Sequence, residues 1–261
     1  MKYTVEKLVD DLTGMNITRG DTLLVHSGFR TINAETPLHV IKALQTAIGE
    51  AGTLVMPSFP GGSEFFMVLN GIIFDVRTSK TDCGLIPETF RKQPGVRRSL
   101  NPGHCMAAWG KNAASILNGH EKCRVSAGKG SPFEKIINAR GKILLIGTDN
   151  THNTTLHYVE NVHGAPTVCA KEFYPAIIDE NGKKLLVPTF PHMPGLPRDY
   201  GKVESILIEN GIQRNTRFGD AEARIIDAYK MNELIGGLIE KDRTFLIPCF
   251  NPENMPHTVL P

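Results

Sequence analysis

Lys142-Ile-Leu-Leu-Ile-Gly147, then Thr148-Asp-Asn-Thr-His-Asn153, then Thr154-Thr-Leu-His-Tyr-Val-Glu-Asn-Val162 is the stretch that decides the fold. Its first part is a short apolar run ended by glycine, the pattern of a strand buried on both faces. Its third part sets Leu156, Val159 and Val162 at helical spacing, so a helix packed by one face follows the polar turn. Working outward, Thr22-Leu-Leu-Val-His26 and Thr53-Leu-Val-Met56 read as two more strands. Helices are predicted over 4–14, through Val5, Leu8, Val9 and Leu12, and over 37–48, through Val40, Ile41, Leu44 and Ile48. Further helices are expected over 85–93, 112–118, 133–139, 201–210 and 220–240. Strands are expected at 169–178, at 184–189 after a turn at Gly182, and at Thr244–Pro248. Pro60–Asn70 reads as irregular and Phe190–Pro197 as a Pro-rich loop. Strands alternating with helices argue for an α/β sandwich around a largely buried sheet.

The composition narrows the function. The 261 residues are 41% hydrophobic and 21% charged, ordinary for a globular protein with a substantial core. A formal charge of +2 gives no global basic footprint for nucleic acid. No run of about 18 apolar residues suggests a membrane span, and the charged start MKYTVEKLVDD does not read as a signal peptide. Five cysteines without a CxxC spacing point to reduced thiols in a cytoplasmic protein. The nine histidines show no HExxH or clustered ligand spacing, so no metal site is expected. The usual glycine-rich nucleotide fingerprints are absent.

Ligands of open α/β sheets gather beyond the carboxyl ends of the strands, where the 154–162 helix begins. His157 and Glu160 share a helix face, and a histidine held by a carboxylate is a familiar general base. Such a base can deprotonate an ammonium attacking a thioester, and neighbouring threonine hydroxyls can hydrogen-bond the oxyanion. A solvated His–Glu pair on a surface helix fits the same spacing. His26-Ser27-Gly28 ends the first strand and is either a ligand-facing turn or simply a tight one. Arg91, Lys92, Arg97 and Arg98, with Lys80 upstream, form the densest basic cluster, suited to phosphates or to solvent. In Asn101-Pro-Gly-His104-Cys105 the last two residues would face opposite ways along a strand. A Cys/His nucleophile is therefore not expected there, and His104 reads as holding a loop.

Taken in order, these segments resemble the aminoglycoside 3-N-acetyltransferase family. His26-Ser-Gly-Phe-Arg30 is similar to its His-Ser-Ser-Leu turn, and Gly52-Thr-Leu-Val-Met-Pro57 to its second strand. Gly84-Leu-Ile-Pro-Glu88, Val96-Arg-Arg-Ser99, Asn101-Pro102 with His104, Ala107-Ala-Trp-Gly110 and Gly130-Ser-Pro-Phe133 follow in family order. So do Lys142–Gly147, Asn153-Thr-Thr-Leu-His157 with Glu160, and Gly219-Asp-Ala-Glu-Ala-Arg224. The resemblance implies one acetyltransferase domain over 1–261, a three-layer α/β/α sandwich around a mostly buried mixed sheet. It implies acetyl-coenzyme A as acyl donor, a small-molecule amine as acceptor and no metal. His26, Ser27, Gly28, Phe29 and Arg30 would line the coenzyme A tunnel, mainly through backbone amides. Ser79, Lys80 and Cys83 would close over it, leaving Arg97 and Arg98 as phosphate candidates. His157 would activate the amine for direct transfer without an acyl-enzyme, with Thr155 supporting the oxyanion. Glu160 and Asp199 both stand as the carboxylate that orients His157.

The chain departs from the family at Gly28, in a short 57–80 segment, and in a compact 190–200 loop whose one acid is Asp199. A polycationic aminoglycoside calls for several carboxylates. A different metabolite amine, or a non-catalytic coenzyme A-binding homologue, are the alternative readings. No nucleic-acid or membrane partner is expected; the oligomeric state is not fixed, and a homodimer is allowed.

Overall fold

The computed structural model describes residues 2–62 and 64–249. The first half of the chain forms α1 (Val5–Gly14), β1 (Thr22–Ser27), α2 (Pro37–Ile48), β2 (Thr53–Pro57), α3 (Glu64–Leu69), β3 (Ile73–Asp75), α4 (Leu85–Phe90), β4 (Arg97–Arg98), β5 (Met106–Gly110) and α5 (Ala113–Leu117). The second half forms α6 (Pro132–Asn138), β6 (Lys142–Ile146), α7 (Thr155–Val162), β7 (Ala176–Ile178), β8 (Lys184–Leu186), α8 (Val203–Glu209), β9 (Gln213–Phe218), β10 (Ala221–Asp227) and α9 (Ala228–Lys241).

Seven strands make one mixed sheet in the order β4-β5-β2-β1-β6-β10-β9. β1 runs parallel to β2 and β6 at its centre; the outer pairings are antiparallel. The continuous apolar runs of β1 and β6 arise because side chains alternate between two cores. Leu24, Ile143 and Leu145 pack under α5–α9, while Leu23, Val25, Leu144 and Ile146 pack under α1, α2 and α4. Helices on both faces complete the three-layer α/β/α architecture that the sequence pattern and the resemblance anticipate.

β3, β7 and β8 form a separate three-stranded sheet. It has a small core of its own, in which Phe74, Ile177 and Val187 meet Met67 of α3 and Cys105. No helix among the described residues is long and apolar enough to cross a membrane.

Several expected elements differ. The helix expected from 220 starts at Ala228, because 213–227 is a hairpin closing at Gly219-Asp220, where Gly219 takes φ 58°. The Asp227 side chain then caps α9 by accepting from the Lys230 amide. Thr244–Pro248 is turned rather than extended, held at its start by Asp242, which accepts from the Thr244 amide and hydroxyl. The 169–178 and 184–189 strands shrink to three residues each, and the irregular 60–70 stretch contains α3. His104 lies in a bend before β5, so its divergence from Cys105 does not come from strand alternation.

The parallel strands decide where a site can form. β1, β2 and β6 deliver Ser27, Pro57 and Ile146 to the same edge of the sheet, and the chain turns there three times.

Candidate active site

A cavity of about 620 Å³ opens at that edge. Its walls come from the three turns: His26, Ser27 and Gly28 after β1; Pro57 and Phe59–Gly62 after β2; Gly147, Thr148, Thr151, His152, Thr154 and His157 after β6. Asp82, Cys83, Gly84 and His104 complete them. The volume suits a small-molecule site. The β1 and β6 turns meet backbone to backbone. The Gly28 amide donates to Ile146 O at 2.8 Å, and a Cβ on Gly28 would lie 3.0 Å from Gly147 O. A side chain at 28 would require the Gly147 carbonyl to give by a few tenths of an ångström.

The turn into α7 is anchored by buried amides. Asn153 Nδ2 donates to Asn150 Oδ1, and Asn150 Nδ2 donates to Gln213 Oε1 on β9. The Thr155 amide donates to Asn153 Oδ1 at 3.2 Å, so the first turn of α7 starts at a fixed angle. This directs His157 into the cavity with its side chain 23% exposed, while Glu160, three residues on, is fully buried.

Tyr200 links the two. Its hydroxyl donates to Glu160 Oε2 at 2.6 Å and lies 2.7 Å from His157 Nδ1. A phenol has one proton to give. With that proton committed to Glu160, the oxygen accepts from His157 Nδ1–H, which leaves the lone pair on Nε2. Burial and the adjacent Glu160 hold the Tyr200 pKa well above 10, so the hydroxyl stays neutral. Arg198 Nε lies 3.5 Å from Glu160 Oε2 and balances its charge. The arrangement holds an imidazole in one tautomer, linked through a hydroxyl to a carboxylate, and a histidine held this way can serve as a base.

Three histidine rings converge beside it. His104, His157 and His192 have centroids 4.8–5.2 Å apart. Glu64, His104 and His192 each place a ligand-type atom within 4.8 Å of the others, a composition that can suggest a metal. The hydrogen bonds do not fit one. Asn161 Nδ2 donates to Ala127 O and to His192 Nε2, which uses that lone pair and leaves the proton on Nδ1. Neither nitrogen of His192 then offers a lone pair to an ion.

Several polar atoms around the cavity are buried without a hydrogen-bond partner among the described residues: His26 Nε2, Ser27 Oγ, Thr154 Oγ1 and Thr155 Oγ1. Orphaned groups in a cavity wall, here on His26, Ser27 and Thr154, are what a site for a polar ligand leaves. Burial pushes His26 down to about 3 and the Cys83 thiol up to about 11, so both are neutral near pH 7.

The family model of aminoglycoside 3-N-acetyltransferases matches residues 24–239, which takes in every wall of the cavity. The chain belongs to the aminoglycoside 3-N-acetyltransferase family. It is an acyltransferase by that membership. It is similar to aminoglycoside N(3)-acetyltransferase IV of Salmonella sp, with 32% identity over 236 residues, 87% of this chain and 84% of that one. Among solved structures it resembles the apoenzyme of aminoglycoside acetyltransferase AAC(3)-IVa, with TM-score 0.80, 28% identity, and 97% and 93% of the two chains covered. A histidine-to-alanine variant of AAC(3)-IVa, solved with a gentamicin, superposes with TM-score 0.82 at 29% identity and the same coverage.

Within this acetyltransferase family member, the residues singled out from sequence divide. His26, Ser27, Gly28, Cys83 and His157 line this cavity, and Glu160 stands behind His157. Thr155 is buried and does not line the cavity, whereas its neighbour Thr154 does. Asp199 is turned outward: it is exposed and accepts from the Lys202 amide, and the adjacent Tyr200 takes the inward position. Phe29 is partly buried against the core on the α1–α2 side of the sheet, and Arg30 and Lys80 are exposed. Ser79 serves the small sheet, its hydroxyl accepting from the Asp75 amide.

Arg97 and Arg98 are also reassigned. Arg97 pairs with Glu180 at 2.8 Å, beside a different groove. Arg98 is buried over the Phe74 ring and donates to the carbonyls of Val76, Ser79 and Ser58. Three of its five N–H groups are spent on these carbonyls and the rest of the guanidinium is buried with them, so it does not face the cavity. Arg91 and Lys92 both pair with Glu88. Tyr200, His192 and the Ser126–Glu64 pair were not anticipated from sequence; only the inward-facing aromatic after Asp199 had a local signal.

Proposed function

We propose that this protein transfers the acetyl group of acetyl-coenzyme A directly to an amine of an aminoglycoside or similar amino compound, with His157 as general base. The observation that carries the reading is the His157–Tyr200–Glu160 relay at the carboxyl edge of the sheet. His157 Nε2 takes a proton from the amine as nitrogen attacks the thioester carbonyl, and Glu160 stabilises the imidazolium through Tyr200. Thr154, which lines the cavity at the start of α7 and whose buried hydroxyl has no hydrogen-bond partner among the described residues, is the oxyanion donor of choice, ahead of Thr155. Direct transfer is favoured over an acyl-cysteine because burial holds the Cys83 thiol protonated. The aminoglycoside acceptor is supported by the names of the relatives and by the gentamicin complex of AAC(3)-IVa.

A different metabolite amine is the second reading, and one observation favours it. Among the described residues Asp82 is the single carboxylate in the cavity wall, sparse for a polycation.

Thiol release from acetyl-coenzyme A against a panel of aminoglycosides and simpler amines tests both. His157→Ala is expected to lower kcat about a thousandfold, within the usual range for a general base. Undiminished turnover in that variant sinks the mechanism. Turnover of simple amino sugars with none of gentamicin selects the second reading.

A further inference from the structure

His104 faces the same cavity as His157, and its surroundings repeat the same device. Its Nδ1 lies 2.7 Å from Ser126 Oγ, and the Ser126 hydroxyl donates to Glu64 Oε1. A hydroxyl that donates to a carboxylate accepts from the imidazole, so His104 carries its proton on Nδ1 and shows a lone pair at Nε2. Glu64 is 2% exposed and packs directly on Gly103, where a Cβ would overlap its Oε1. The Asn101-Pro-Gly-His104 bend thus requires its glycine for the relay to exist.

Two imidazoles with fixed tautomers, centroids 5.2 Å apart, address one cavity. The chemistry has work for two. An alkyl amine enters as an ammonium, since its pKa in water is about 10. N-acetylation converts R–NH3⁺ and the thioester to the amide, the thiol and one free proton. The C–N bond forms, the C–S bond breaks with its electron pair on sulfur, and nitrogen gives up two protons. One ends on the thiolate and the other leaves to solvent.

We infer that His104 is the second proton acceptor for the incoming amine, taking the proton that leaves to solvent while His157 handles the one returned to sulfur. The inference rests on the acyl-transfer reading above. The groups facing His104 are Glu64 on α3, His120, His157 on α7, and His192 and Arg198 from the 190–200 loop. Burial, then the neighbouring histidines and Arg198, push its pKa well below 6.5. A site that cannot keep a proton passes it on, as a carrier must. The same desolvation acts on the bound ammonium, so the transfer runs between two weakened cations. His192 does not compete, because Asn161 occupies its lone pair.

The test is His104→Gln in the full chain, which keeps bulk and polarity and removes the base. Thiol release is followed from about pH 6 to about pH 11 with an alkyl ammonium acceptor and with an alkoxyamine that is neutral throughout, both chosen as substrates of the unaltered protein. With the ammonium, kcat/KM is expected to fall roughly a hundredfold near neutral pH and to recover as pH passes the acceptor's pKa. With the alkoxyamine the deficit stays within about threefold, and the KM for acetyl-coenzyme A does not move. Ser126→Ala, which frees the tautomer, should give a milder form of the same acceptor dependence and carries the test if His104→Gln fails to fold. A deficit equal for both acceptors at every pH makes His104 a packing residue and overturns the inference, as does no deficit at all. An unaltered protein that turns over no amine overturns the acyl-transfer reading first, and is distinguishable on that ground.

Discussion

His157 and His104 line the same cavity, and each is backed by a hydroxyl and a buried glutamate, yet the two relays are built on opposite principles. In the first, histidine and glutamate share one helix three residues apart, and only Tyr200 comes from elsewhere, 40 residues beyond Glu160. In the second, every link is long: Ser126 lies 22 residues from His104 and 62 from Glu64. The first is positioned by helix geometry. The second depends on the docking of α3, the 101–105 bend and the 123–128 turns, so it holds only while the whole fold does. Local construction keeps His157 aimed by its own helix, and distributed construction ties His104 to global stability.

Acid should break the comparison open, because its effect is largest on the distributed side. His104, His120 and His192 cluster there, all held below the ordinary histidine value by burial, His120 at about 4; His26, at about 3, adds to them. A folded-state pKa below the unfolded one means that stability is present above about pH 6.5 and is lost as pH falls toward the folded values. Glu64 runs the other way: burial raises its pKa, so its protonation in acid relieves part of the strain. The net expectation is a loss on the order of several kcal/mol between about pH 7 and about pH 4.5, at ~1.4 kcal/mol per unit for each group. Denaturant midpoints across that range measure it. A flat profile would mean that these histidines are solvated.

Next in size is the link between His157 and Glu160. Tyr200→Phe keeps the ring packing against His157 and removes the bridge. A hydrogen bond to a charged group is worth ~1.5–3 kcal/mol, so kcat should fall about tenfold to a hundredfold with the KM for acetyl-coenzyme A unchanged. The 3.5 Å separation of His157 Nδ1 and Glu160 Oε2 is too long for a good direct bond, so a Tyr200→Phe protein with full kcat removes the hydroxyl from the relay.

These contrasts also explain what could be read from the chain beforehand. The sheet centre was legible because β1, β2 and β6 are short apolar runs buried on both faces, and His157 with Glu160 because helical spacing is local. Asp199 was a chemically apt carboxylate, but the fold turns it outward, and the inward position belongs to the tyrosine beside it. β9 and β10 were hidden by charges alternating with small residues, since that hairpin ends the sheet and exposes part of its side chains. His104 reads from sequence as holding a loop and His192 only as one of the scattered histidines, because no spacing in one dimension reports a contact made by three separate loops.

The basic pair Arg97-Arg98 marks where sequential density misleads, and it gives the smallest expected effect. Four cations within eight positions look like a phosphate site, but the fold sends adjacent side chains of β4 to opposite destinations. Arg98 goes inward to three carbonyls, so Arg98→Ala strands buried acceptors and should cost about 3 kcal/mol of stability. Arg97 goes outward to Glu180, with both side chains about half exposed. An exposed pair of this kind contributes ~0–1 kcal/mol, and its screening by salt reduces that further. Arg97→Ala is therefore expected to leave the KM for acetyl-coenzyme A within about twofold and to shift the denaturant midpoint little. A tenfold rise in that KM, with stability unchanged, would put Arg97 on the coenzyme A phosphates after all and would require the Glu180 pair to open when the donor binds.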